Sequence, residues 1–190
     1  MKFDIILAGV GGQGVLSVGA IIASSALKQG LAVKQSEVHG MSQRGGAVLA
    51  HLRIASAPIA SDLIPLGCAS MILSMEPLES LRYLRYLSPQ GAIITSVDPV
   101  RNIPDYPDYD ELIATIRRVP GAVLVESERL ARQAGSARAT NMVMAGAAAD
   151  RLPLEVETLE HFIESLFRSK GADVVETNLK AFRAGRGAAA

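Results

Sequence analysis

Lys2–Gly14 reads KFDIILAGVGGQG, an apolar run that ends in a cluster of glycines. Phe3–Ala8 has the length and composition of a short buried strand, and Val15–Gln29 reads as the helix that follows it. Gly9, Gly11, Gly12 and Gly14 thus stand where strand meets helix. A turn of residues without a Cβ brings backbone N–H groups and a helix N-terminus close to whatever lies above it, usually an anion or a partner's backbone. Gly9, Gly11 and Gly14 match the pattern G-x-G-x-x-G/A loosely, with Gly12 and Gln13 filling the gap, and this argues for a Rossmann-like unit. Tight strand–helix packing alone asks for the same glycines. They decide the architecture and leave the ligand open.

Working outward, Gly30 stands where a helix C′ residue belongs, and Leu31–Val38 (LAVKQSEV) reads as the second parallel strand. The first forty residues then form a βαβ unit with a right-handed crossover. Next comes Glu37–Gly46, EVHGMSQRGG, which concentrates Glu37, His39, Ser42, Gln43, Arg44 and three glycines between two apolar strands. Arg44 can clamp a carboxylate or phosphate bidentately, and loops at strand C-termini are where open α/β sheets bind ligands. A long polar loop with one capping arginine is the plainer reading. Ala47–Ile54 alternates with a wetter face of Leu49, His51 and Arg53, which predicts a strand at or near a sheet edge with His51 solvated.

Pro58, Pro65 and Gly67 mark a connecting segment before Ala69–Met75, a further buried strand. Glu76–Leu87 reads as a helix with acids in its first turn, Ser88–Gly91 as a turn, and Ala92–Val97 as a strand. Asp98–Asp110 (DPVRNIPDYPDYD) is irregular and reads as a solvated excursion, placed to cover a site or meet another subunit. Its acids lack the spacing of a calcium loop. Helices are predicted over 111–118, 127–134, 140–151, 156–168 and 174–183, with a short strand at 122–125. The expected fold is α/β: a three-layer, Rossmann-like, open and mostly parallel sheet with helices on both faces. A single domain spans 1–185, followed by a frayed tail from Gly185 to Ala190.

Composition narrows the function. The 190 residues are 49% apolar and 20% charged with zero formal net charge, so the chain is globular and gives no reason to expect a nucleic-acid partner. The uncharged run Ile5–Leu27 is broken by glycines, serines and Gln13, and its periodicity changes at the turn; a strand plus a buried helix explains it better than a membrane span. The first residues lack a signal peptide pattern, and Cys68 is the sole cysteine, so the default setting is cytoplasmic. One cysteine and three histidines exclude an iron–sulfur or zinc site built by this chain alone. There is no G-x-S-x-G elbow, Walker A lysine, H-E-x-x-H or C-x-x-C, and no Gly-Asp-Gly of a thiamine diphosphate site. The two special loops face a common crevice at one edge of the predicted sheet. The chain reads as part of a site.

Three segments carry a resemblance. AGVGGQGV (8–15), EVHGMSQRGGAV (37–48) and ETNLKAFRAG (176–185), in this order, resemble the gamma-type subunits of the 2-oxoacid:ferredoxin oxidoreductases, and among them the small subunits of the indolepyruvate enzymes. The likeness covers about residues 3–185. It implies oxidative decarboxylation of an aryl 2-oxoacid to acyl-CoA and carbon dioxide. Thiamine diphosphate with its magnesium and the 4Fe-4S clusters would be held by a large partner subunit in an obligate hetero-oligomer, and electrons would pass to ferredoxin. No cofactor and no metal is then bound by this chain alone, and no membrane is involved. Coenzyme A is the co-substrate expected to touch it. By resemblance, Gly9, Gly11, Gly12, Gln13, Gly14, Ser42, Gln43, Arg44 and Gly45 lie at the composite site, with Glu37, His39 and Met41 as substrate or interface residues. No general acid or base is assigned, and His39 fits a structural role equally well.

A rival from another class is a free-standing protein binding NAD or FAD. Its support is Glu37, at the end of the predicted second strand, where a ribose-binding acid belongs. A scaffold subunit without ligand contact is a third reading.

Overall fold

The computed structural model describes residues 1–39, without the side chain of His39, and 45–189. Its sheet has the order β2-β3-β1-β4-β5-β6, formed by β1 (Lys2–Val10), β2 (Ala32–His39), β3 (Ala47–Ala55), β4 (Ala69–Ser74), β5 (Leu87–Ser96) and β6 (Val123–Val125). β1, β4, β5 and β6 are parallel neighbours, while β3 runs antiparallel to both β1 and β2. The mostly parallel α/β sheet is therefore as expected, but β2 is not the neighbour of β1. Only seven residues, 40–46, join β2 to β3. A connection so short makes a hairpin, because a parallel crossover needs a dozen residues or more. The hairpin inserts β3 between β1 and β2.

Side chains alternate cleanly across the sheet. Ile5, Leu7, Val48, Ala50, Leu52, Met71, Leu73 and Ile94 face the main core, and Ile6, Ile72 and Ile93 face the opposite layer. The main core is closed by α1 (Val15–Lys28), α4 (Ser127–Ala134), α5 (Thr140–Ala149), α6 (Val156–Phe167) and α7 (Ala172–Ala189). The other face carries α2 (Pro77–Arg82), α3 (Tyr109–Arg117) and the connecting segment 56–68.

That segment corrects the reading of β3. Its supposedly wet face is covered: His51 is buried, and its Nδ1 accepts the Ile64 N–H at 3.1 Å. Arg53 pairs with the buried Asp4 through Nε–Oδ1 (3.0 Å) and Nη2–Oδ2 (3.2 Å), and its Nη1 donates to the carbonyls of Ser61 and Leu63. Both side chains pin the connection to the sheet. Two further expectations shift. The helix after β4 ends at Arg82, because Leu87 already pairs with Ala69. Ser88–Gly91 is an irregularity within β5, between the pairs Ala69–Leu87 and Met71–Ala92, rather than a separate turn.

The C-terminal helix also continues past Gly185, where a frayed end is expected, to Ala189. The reason is a glycine crossing. A Cβ on Gly185 would lie 1.9 Å from the Val143 carbonyl oxygen, and a Cβ on Gly146 would lie 1.9 Å from that of Phe182. Backbones of α5 and α7 touch here, and α5 is buried from Asn141 to Ala149.

Two predictions follow from this packing. Gly185→Ala forces the two backbones apart and should cost about 3 kcal/mol, the upper end of overpacking penalties. Gly187→Ala, where the added Cβ meets nothing, should leave stability unchanged or gain up to about 1 kcal/mol of helix propensity. Equal melting temperatures for the two variants would refute the crossing. The second concerns His51, whose pKa is held below its ordinary value chiefly by burial; Asp62 opposes this and Arg53 adds to it. The unfolded chain then takes up a proton at a pH where the folded chain does not, so stability should fall as the pH drops through the ordinary histidine range. In chemical denaturation between pH 7 and pH 5, His51→Asn should show a shallower fall than the wild type; parallel curves would count against it.

Candidate functional site

The C-terminal ends of the four parallel strands converge on one crevice. The chain leaves β1 toward β2 on one side and enters β4, β5 and β6 on the other, so the junction of β1 with β4 is the topological switch point of the sheet. A cavity of about 520 Å³ opens there, lined among others by Gly12, Gly14, Asp98, Ser127, Arg138 and Asn141.

Its floor is set by Gln13. The Oε1 atom accepts the Val10 N–H at 2.7 Å, and Nε2 donates to the Met75 carbonyl at 3.1 Å, tying the end of β1 to the end of β4. The Gln13 N–H closes back on the Val10 carbonyl. The Gly11 N–H donates to Gly46 (2.8 Å), and the Gly45 N–H to the Gly11 carbonyl (3.3 Å), so the β1–β3 pairing continues into both special loops. The N–H groups of Gly11 and Gln13 are thus engaged within the fold. In the turn and at the start of α1, the N–H groups of Gly12, Gly14, Val15 and Leu16 have no partner among the described residues. Gly14 is the N-cap, with φ +77°, and an added Cβ would collide with Asn141 Nδ2 at 2.4 Å. Only glycine satisfies both the conformation and the contact. Gly9 serves packing, since a Cβ there would lie 2.8 Å from Val15 Cγ2.

Other parts of the crevice were not singled out in the sequence. Asp98 Oδ2 lies within hydrogen-bond distance of Ser96 Oγ (2.9 Å), Ser127 Oγ (2.8 Å) and the Glu128 N–H (2.8 Å). The carboxylate thereby caps the N-terminus of α4. Asn141, only 9% exposed, has no hydrogen bond on its side-chain amide among the described residues. Arg138, in the 3-10 turn Ala137–Ala139, is exposed and without an ion pair among them. The excursion after β5 is anchored rather than free. Glu76, buried at the N-terminus of α2, accepts from the Tyr106 hydroxyl and the Val100 N–H, and Asn102 Nδ2 donates to the Gly45 carbonyl at 2.6 Å. Burial and the bond to Glu76 raise the Tyr106 pKa, keeping its proton in place as donor.

Met41, Ser42, Gln43, Arg44 and the side chain of His39 lie outside the described residues. Glu37 does not stand where a ribose-binding acid belongs. It registers with Ala50, which registers with Leu7. That places it two strands from β1, about 10 Å away, and below the level of the glycine turn. Among the described residues no helix is long and apolar enough to cross a membrane.

Known proteins match nearly the whole of this chain. The family model described as pyruvate ferredoxin/flavodoxin oxidoreductase matches residues 4–188. The chain belongs to that family. It is 40% identical over 199 residues to the indolepyruvate oxidoreductase subunit IorB of Methanothermobacter thermautotrophicus, covering 100% of this chain and 99% of the relative. Two solved structures share the fold. One is the gamma subunit of a keto/oxoacid ferredoxin oxidoreductase from Geobacter sulfurreducens, with a TM-score of 0.70 at 24% identity over 98% of each chain. The other is a 2-oxoglutarate:ferredoxin oxidoreductase from Magnetococcus marinus with 2-oxoglutarate, coenzyme A and succinyl-CoA bound. It has a TM-score of 0.78 at 22% identity, covering 99% of this chain and 31% of that one.

The double role of the Gln13 amide yields a prediction within the family fold. Gln13→Ala orphans the Val10 N–H and the Met75 carbonyl and should cost about 1–3 kcal/mol in the absence of any ligand. Gln13→Glu should be worse, because a carboxylate oxygen then faces the Met75 carbonyl. Denaturant midpoints equal to wild type for both would show that the side chain does not brace the turn.

Proposed function

We propose that this chain is the small subunit of an indolepyruvate:ferredoxin oxidoreductase, working in the cytoplasm and active only with a large partner. The observation that carries this reading is the 40% identity, along the full length of both chains, with the indolepyruvate subunit of M. thermautotrophicus. The reaction is the oxidative decarboxylation of an aryl 2-oxoacid to acyl-CoA and carbon dioxide, with electrons leaving to ferredoxin. Thiamine diphosphate with magnesium and the iron–sulfur clusters supply the decarboxylation and electron transfer when bound. This chain's residues do not fit either group: it has one cysteine, exposed Cys68, and no Gly-Asp-Gly. Both are assigned to the large subunit.

The role assigned to this chain is to hold coenzyme A. The N–H groups of Gly12, Gly14 and Val15, unpartnered among the described residues and with the positive end of α1 behind them, suit a diphosphate. The unpartnered amide of Asn141 and the guanidinium of Arg138 border the same space. Ser42, Gln43 and Arg44 directly precede Gly45 in sequence, and Arg44 has the chemistry to take a phosphate. Coenzyme A in the M. marinus relative is consistent with this role. The position of Glu37, two strands from β1, stands against the dinucleotide-binding alternative.

The test is capture of the chain from its own cells, followed by assay of what accompanies it. A large partner with iron–sulfur absorbance and thiamine diphosphate, reducing ferredoxin with indolepyruvate at least about tenfold faster than with 2-oxoglutarate, is expected. A colourless lone chain would overturn the reading. In the assembled enzyme, Arg44→Ala and Asn141→Ala should each raise the KM for coenzyme A by about tenfold, the loss of roughly 1.4 kcal/mol, without splitting the complex. Unchanged coenzyme A affinity in both would remove the coenzyme from this chain.

A further inference from the structure

Helix α1 carries no charge until Lys28, its last residue, although one side of it reaches the surface. Leu16 is 37% exposed and Leu27 60%, Ala20 is exposed and Ala23 partly so. At 3.6 residues per turn these four positions fall within roughly 60° of arc, so the outward stripe is wholly apolar. Phe162 and Leu166 of α6 border it, and with Ala20, Ile21 and Ser24 they line a groove of about 240 Å³. Leu166 is itself exposed. The nearby acids of α6 are already paired, Glu160 with Arg183 and Glu164 with Arg168. The surface helix of a protein that stands alone turns polar residues outward. An outward face of leucine and alanine is instead the mark of a contact surface.

The spacing states what the surface fits. Leu16, Ala20, Ala23 and Leu27 are separated by four, three and four residues, so the stripe reads the same in both directions about a midpoint between Ile21 and Ile22. A twofold axis through that midpoint, perpendicular to the helix, sets α1 antiparallel to its own copy. Leu16 then meets Leu27 of the second copy, and Ala20 meets Ala23. Steps of three and four residues keep an apolar seam along a helix pair. The central alanines let the backbones approach closely, and the leucines close both ends. A twofold contact requires one patch that complements itself, which is what this order of side chains supplies. An unrelated partner imposes no such palindrome. A lipid surface calls for cations along the helix, and α1 has only Lys28 at its end.

We propose that the outer face of α1, with the α6 groove beside it, is a contact surface between two copies of this chain, paired antiparallel about a twofold axis at Ile21 and Ile22. The contact does not depend on what the crevice holds. The experiment is site-directed crosslinking in the complex as captured from its own cells. Cys68→Ser removes the chain's sole cysteine, and Ala20→Cys places a thiol about one helical turn from its symmetry mate. A short bismaleimide should then join two copies into a species of twice 20.0 kDa. Gln133→Cys, at an exposed position on α4, should give no such species. Adding Leu27→Glu to Ala20→Cys sets a carboxylate against Leu16 at each end of the seam and should cut the yield at least about tenfold. The melting temperature should hold, because Leu27 faces solvent within a single copy. Three results would overturn the contact: Ala20→Cys joined to a different subunit or to nothing, a yield unchanged by Leu27→Glu, or equal joining through Gln133→Cys, which reports collision alone.

Discussion

The backbone contact between α5 and α7 sets the rest of the main layer. Reciprocal glycines, Gly146 and Gly185, let the two helices approach until each carbonyl fills the space of the other's missing Cβ. α5 is small-residued and buried along nearly its whole length, so it sits between the sheet and α7. Its N-terminus is thereby driven up to the glycine turn, where Asn141 occupies the space that any side chain at position 14 would need. One close crossing thus fixes where the Asn141 amide, unbonded among the described residues, meets the start of α1. The motif ETNLKAFRAG acquires a physical reason from the same contact. Phe182 fills the core, Asn178 Nδ2 bonds the Val174 carbonyl one turn back, and Gly185 makes the crossing.

The glycine turn divides into two jobs. Gly9, Gly11 and Gln13 close the fold: they pack on Val15, continue the β1–β3 pairing and bridge β1 to β4. Gly12 and Gly14 remain with N–H groups at the head of a fourteen-residue helix. A turn so well braced keeps those donors in place before a ligand arrives, which lowers the ordering cost of binding.

Much of this was legible in the sequence, and the exceptions share a cause. Strand β1, helix α1 and helix α4 follow from local pattern. The place of β3 does not, since its alternation is as compatible with an edge strand as with one whose second face is roofed by residues 56–68. His51 and Arg53 look solvated in sequence because the groups that satisfy them, the Ile64 N–H, the Ser61 and Leu63 carbonyls and Asp4, are backbone atoms or come from a neighbouring strand far away in sequence. Asp98 and Asn141 carried no motif. The signal that finds them is positional: each lies just after a parallel strand or at the first turn of a helix on the ligand side of the sheet. The helix after β4 was overextended because Ser88–Gly91 has turn chemistry, and the strand absorbs it as an irregularity.

The crevice is equipped to hold a ligand rather than to transform one. Among its described residues the ionisable groups are Asp98, Glu128 and Arg138. Asp98 is engaged on one oxygen by two hydroxyls and a helix N–H, which fits a cap. Ser127 donates to that carboxylate and has no histidine beside it among these residues to act as base, so it lacks the arrangement of an activated nucleophile. What remains beside Glu128 are helix N–H groups, an amide and a guanidinium, which can hydrogen-bond phosphates and order a flexible chain. Binding energy gathered at such a site acts on the reaction only if it positions a remote reactive end against chemistry supplied elsewhere. On the proposed reading, a second subunit supplies the chemistry and this chain's residues influence the rate through how well they place the coenzyme.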